Sequence, residues 1–113
     1  MTRLGEPVRE GLLDAASRFV ELLCAAQKKL NADTGNLFPD YFWLEAHGSR
    51  QWRVAGDDGV FCFIECSTGK IMKAESWRAP DRKRHDRGNV FHEDPIADLE
   101  IHAGRFYAVR SLR

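Results

Sequence analysis

Gln51-Trp52-Arg53-Val54-Ala55-Gly56-Asp57-Asp58-Gly59-Val60-Phe61-Cys62-Phe63-Ile64-Glu65-Cys66 is the stretch on which the fold turns. Its first half alternates apolar and polar side chains, the period of a half-buried strand. Gly56-Asp57-Asp58-Gly59 interrupts it with residues that tolerate a reversed backbone, which signals a hairpin. The second half is apolar at nearly every position and reads as a central strand.

The flanks extend the pattern in both directions. Tyr41-Phe42-Trp43-Leu44-Glu45-Ala46-His47 is rich in aromatics and stops at Gly48-Ser49, while Ser67-Thr68-Gly69 turns the chain into Lys70-Ile71-Met72-Lys73-Ala74. Strands joined by tight turns over about 41–74 make an antiparallel meander of four strands, or five with a C-terminal addition. Trp43 and Trp52 fall at positions that can face each other, which assigns both to packing. A sheet with one apolar face needs a cover. The N-terminal residues supply it: Leu12, Leu13, Ala16, Phe19, Val20, Leu23 and Leu30 recur at helical spacing. Pro7 suits a first helical position, and Glu6 and Glu10 suit the positive end of the helix dipole. Asp14 and Arg18 form an i,i+4 pair, and Asn31-Ala32-Asp33-Thr34-Gly35-Asn36 supplies stop residues. The expectation is an α+β fold, with one long helix over about 7–31 packed on the sheet.

The remainder is less regular. Pro80, Gly88, Asn89 and Pro95 punctuate a charged stretch over 75–95, and a loop of that length in a compact domain is usually functional or mobile. Residues 96–113 form either a hairpin turning at Ala103-Gly104 or a helical turn and a last strand. Size fits one domain spanning 1–113.

Composition narrows the function classes. Seventeen basic and seventeen acidic residues cancel, so no whole-molecule field draws the chain toward nucleic acid or membrane. The opening MTRLGEPVRE is not an apolar signal segment, and no apolar run approaches the roughly 18 residues that span a bilayer. With three cysteines and no dense disulfide framework, the expected setting is cytoplasmic and reducing. Cys62 and Cys66 share one face of a strand but sit about 13 Å apart, too far for a disulfide or a common zinc ion. Cys24 lies at the edge of the helical stripe, and all three are expected to pack rather than react. No phosphate loop, dinucleotide turn or nucleophile elbow is present. No cofactor or metal is expected, and a catalytic site is not.

One stretch breaks the neutrality. Between Ser76 and His92, Arg78, Arg82, Lys83, Arg84 and Arg87 stand against Asp81 and Asp86, five charges against two. Arginine beside Trp77 suits phosphate or carboxylate recognition, with stacking as an added element. The competing reading is a solvated loop whose arginines pair with Asp81, Asp86, Glu93 and Asp94. Trp77 itself suits closure of a core edge. His47, His85, His92 and His102 lack a spacing with known mechanics, so a small hydrolase using His85 or His92 as general base is the weakest of the functional readings.

Thr68-Gly69-Lys70-Ile71-Met72-Lys73-Ala74-Glu75-Ser76-Trp77-Arg78-Ala79-Pro80, followed by Arg87-Gly88-Asn89-Val90-Phe91, resembles a group of small uncharacterised proteins of bacteriophages and mobile elements. Their shared pattern is a hairpin, then TGxIxKxxxWxxP, a basic loop and RGN. The likeness covers about residues 48–91, and this chain departs from it in the extra charges of Asp81-Arg82-Lys83-Arg84-His85-Asp86. The resemblance implies an accessory protein that binds a host protein, including inhibition of a host defence system in the anti-CRISPR manner. The binding surface is then Trp77, Arg78, Arg82, Lys83, Arg84 and Arg87. Nucleic acid is the alternative partner for the same loop. Alternation also places Val60, Cys62, Ile64 and Cys66 toward the helix and Phe61 and Phe63 away from it, to be covered by residues 96–112 or by a second copy in a homodimer.

Overall fold

A computed structural model of the chain describes residues 8–74 and 88–108. Helix α1 (Leu12–Thr34) lies before four antiparallel strands, β1 (Phe42–Glu45), β2 (Gln51–Gly56), β3 (Gly59–Glu65) and β4 (Ile71–Lys73), which pair in chain order. β5 (Glu100–His102) and β6 (Arg105–Tyr107) form a separate hairpin. This is the expected α+β architecture of a helix and an antiparallel meander. The C-terminal segment adopts the hairpin alternative: Ala103 and Gly104 both take positive φ, 54° and 82°, as a tight two-residue reversal requires. Among the described residues no helix is long and apolar enough to cross a membrane.

The helix is shifted toward the C-terminus relative to its sequence reading. It begins at Leu12, not Pro7, because Gly11 takes φ 82°, a left-handed conformation that cannot continue a right-handed helix. It runs past residue 31 to Thr34 and stops at Gly35, also left-handed, whose N–H returns to the Asn31 carbonyl at 2.8 Å. Its buried stripe is Leu12, Ala16, Phe19, Val20, Leu23 and Gln27. Leu13, placed on that stripe from spacing, is exposed. Arg18 does not pair with Asp14 either: its guanidinium donates to the carbonyls of His92 and Glu93, tying the helix to the segment after the loop.

The helix stripe meets Phe42, Trp52, Val54, Cys62, Ile64 and Ile71 on one sheet face, and Val90, Leu99, Phe106 and Ala108 complete this core. Each large side chain here contributes roughly 1.5–3 kcal/mol by leaving water. Trp52 lies on this face with its indole N–H donating to the Gly48 carbonyl at 3.1 Å. Trp43 lies on the opposite face, because it pairs with Ala55 while Trp52 pairs with Ile64. The two tryptophans therefore do not meet.

A bulge revises the strand faces. Val54 pairs with Cys62 but the next residue, Ala55, pairs with Val60, so Phe61 is left without a partner in the ladder. The extra residue turns Phe61 to the helix side, where its ring meets Phe42 at 5.3 Å. Val60 lies opposite Ala55 on the other face. Phe63 does point away from the helix, yet it is 3% exposed, and Ala55 and Met72 on the same face are buried too. That burial exists within one chain and requires no second copy. Leu99, Phe106 and Ala108 of the C-terminal segment join the helix-side core, and residues 105–108 line a cleft together with Phe61.

Candidate functional site

Trp77, Arg78, Arg82, Lys83, Arg84 and Arg87 lie outside the described residues, as does His85. The two points between which the loop runs are well defined. The chain leaves from β4 at Ala74 and returns at Gly88, whose carbonyl accepts the Ile71 N–H at 2.9 Å. Gly88 therefore sits beside the start of β4, and Ala74 beyond its end. Three residues of extended chain separate the two anchor points by about 10 Å. The described chain on the two sides of residues 75–87 therefore ends about one edge strand apart.

The return point is held by a dense set of contacts with the β3–β4 turn. Val90 N–H donates to the Gly69 carbonyl at 2.9 Å. Asn89 Nδ2 donates to the Thr68 carbonyl at 3.0 Å, while Asn89 Oδ1 accepts the Phe91 N–H at 2.9 Å. Arg9 donates to the same Thr68 carbonyl at 2.9 Å and lays its guanidinium 3.8 Å from the centre of the Phe91 ring. Gly69 has φ 83°, and a Cβ on it would come within 2.5 Å of the Phe91 ring. Only glycine satisfies both demands there. Thr68-Gly69 and Gly88-Asn89, the two ends of the pattern quoted above, thus form one clasp.

Acidic and imidazole groups flank this return point. Asp98 lies against Gly88, 3.1 Å from where a Cβ would project, and its carboxylate is 3.6 Å from His92 Nδ1. His102 meets Glu100 at 2.9 Å on the other hairpin. Among the described residues no hydroxyl or thiol is hydrogen-bonded to the His92 ring, and no three His, Cys, Asp or Glu side chains converge as metal ligands. The three thiols are free, and those of Cys62 and Cys66 are buried. Burial drives the Cys62 thiol far up and raises Cys66 to about 11, with Glu65 adding to the latter, so neither is a thiolate at neutral pH. Cys24 Sγ accepts the Phe42 N–H at 3.2 Å, capping one end of edge strand β1.

On the sheet face away from the helix, Glu45 accepts from the Trp43 indole at 2.9 Å and from Arg53 Nε at 2.6 Å. The Trp43 hydrogen bond and, after it, the Arg53 contact hold the Glu45 carboxyl below its ordinary range, against the opposing effect of burial.

The far end of the sheet holds a feature that sequence reading missed. A cleft of about 160 Å³ opens between the β2–β3 hairpin and β6, lined by Pro39, Phe42, Phe61, Asp58, Arg105 and Tyr107 among others. Asp58 and Arg105 pair across it at 2.5 Å. Nothing local in the sequence joins these two residues, and the bulge that brings Phe61 to the cleft leaves no composition signal.

No family model, curated protein or solved structure matches the chain.

Proposed function

We propose that the chain is a phage-type accessory protein that acts by stoichiometric binding rather than turnover. Its partner is a host protein with an acidic surface, and the outcome is inhibition of a host defence system in the host cytoplasm. One observation carries this reading: five basic residues against two acidic ones fall in a single segment, 76–92, of a chain whose charges otherwise sum to −3. Arg78, Arg82, Lys83, Arg84 and Arg87 engage carboxylates, arginine doing so in bidentate fashion, and Trp77 fixes the start of the loop. The clasp at Thr68, Gly69, Gly88 and Asn89 supports it by anchoring the end of that segment against a packed core. A fixed end reduces the ordering cost when the loop meets a partner. The resemblance to phage proteins supports the host-directed role.

The test is complex formation with host extract fractions by the wild type and by Arg82→Ser/Lys83→Ser/Arg84→Ser, run beside oligonucleotide binding at two salt concentrations. A stoichiometric protein complex lost in the triple variant supports the proposal. Binding to oligonucleotides alone, falling with a log–log salt slope of up to about −0.9 per phosphate contacted, moves the same loop to nucleic acid.

A further inference from the structure

Distinct from the basic loop, the cleft at the β2–β3 end has the size and lining of a binding site for one aromatic ring. Its floor and sides are Pro39, Phe42 and Phe61, the last delivered there by the bulge. A volume of about 160 Å³ matches the roughly 150 Å³ apolar cavities that accept a single benzene ring.

The polar wall sets the rest of the chemistry. Arg105 is 24% exposed and Asp58 51%. Among the described residues Asp58 is the one acceptor recorded for the guanidinium, whose five N–H donors exceed what one carboxylate takes. Arg105 is also held by Phe38 and Tyr107, with ring centres 5.4 and 5.6 Å away, so its position is fixed before any ligand arrives. Asp57 and Lys73 also line the cleft, so its charged residues are two anions and two cations, with the Asp58–Arg105 pair side by side. A charged ligand gains from one and is repelled by the other. A hydroxyl serves both, accepting from Arg105 and donating to Asp58. We propose that this cleft binds a neutral phenol-like ring, with the ring on Phe42 and Phe61 and the hydroxyl on the Asp58–Arg105 pair. The ring can come from a free aromatic alcohol or from a tyrosine of another chain.

The test uses the full chain labelled with 15N and titrated with p-cresol, toluene, 4-methylbenzoate and N-acetyl-tyrosinamide. Saturable shifts confined to Gly59, Phe61, Arg105 and Tyr107 are expected with p-cresol. It should bind roughly tenfold more tightly than toluene, the worth of one good hydrogen bond, and 4-methylbenzoate more weakly than either. Arg105→Met should erase the p-cresol advantage while toluene still binds. If that variant does not fold, the wild-type ranking alone decides. Binding by N-acetyl-tyrosinamide assigns the ring to a polypeptide, and binding by p-cresol without it assigns a free small molecule. Absence of saturable shifts with every ring, or 4-methylbenzoate binding as tightly as p-cresol, overturns the proposal.

Discussion

The two ends of the sheet are built on opposite plans. At the β3–β4 end, backbone hydrogen bonds and an Asn side chain join the turn to residues 88–91, with Gly69 so close to Phe91 that a Cβ would clash. At the β2–β3 end, β6 meets the β2–β3 hairpin through the Asp58–Arg105 ion pair, and about 160 Å³ stays open between them. The first plan fixes a chain segment in position; the second leaves room for a small guest. Both ends share one core, so the difference lies in what crosses from the meander to the later segments. Glycine and backbone amides permit close approach, whereas long side chains bridge at a distance.

Substitutions can break this contrast, and the largest effect is expected where the helix itself holds β6. Gln27 is fully buried, accepts the Phe106 N–H at 3.0 Å, and donates to the Gly104 carbonyl at 3.1 Å and to Asn31 at 3.0 Å. Gln27→Leu strands two backbone groups of the β6 region and should cost about 3–4 kcal/mol in urea unfolding. Gly69→Ala attacks the closed end. The Cβ clash with Phe91 and the left-handed backbone together should cost about 2–3 kcal/mol, with amide exchange rising first at Ile71 and Val90. Arg105→Met at the open end should cost about 1 kcal/mol or less, since a half-exposed pair contributes little to stability.

The smallest effect belongs to Glu45. Its carboxyl is held low in the folded state, so its contribution is complete above the ordinary value of 4.5 and fades as pH falls through the lower folded value. Glu45→Gln should therefore cost up to about 1 kcal/mol at pH 7 and progressively less as the pH falls below 4.5. A stability difference that persists unchanged at pH 3 would show that the Trp43–Glu45–Arg53 contact works by packing and not by charge.

These predictions also mark where sequence reasoning was adequate. The helix stripe and the four meander strands are periodic features, and each is set by neighbours within a few residues. Gly35 stopped the helix as a glycine in a run of stop residues should. The errors have local mechanical causes. Pro7 and Glu10 suggested an early helix start, but the left-handed Gly11 moves it to Leu12. Strict alternation sent Phe61 outward, and a single extra residue in β3 brought it back. Position along the strands suggests that Trp43 and Trp52 face each other, whereas ladder pairing puts them on opposite faces. The clasp was visible only as a pattern of letters. That Asn89 and Thr68 touch depends on the path of everything between them. The Asp58–Arg105 wall was invisible for the same reason: two charges far apart in the chain carry no mark of their pairing.

The proposed binding role rests on the positive segment between the two anchors. Arg82→Ser/Lys83→Ser/Arg84→Ser removes three of its charges and leaves the residues of the clasp and of the core themselves unchanged. Size-exclusion of the host complex formed by the wild type and by this variant is the most direct measurement. The account predicts a one-to-one or other fixed-ratio complex for the wild type and free protein for the variant. A variant that still elutes in the same complex would contradict it.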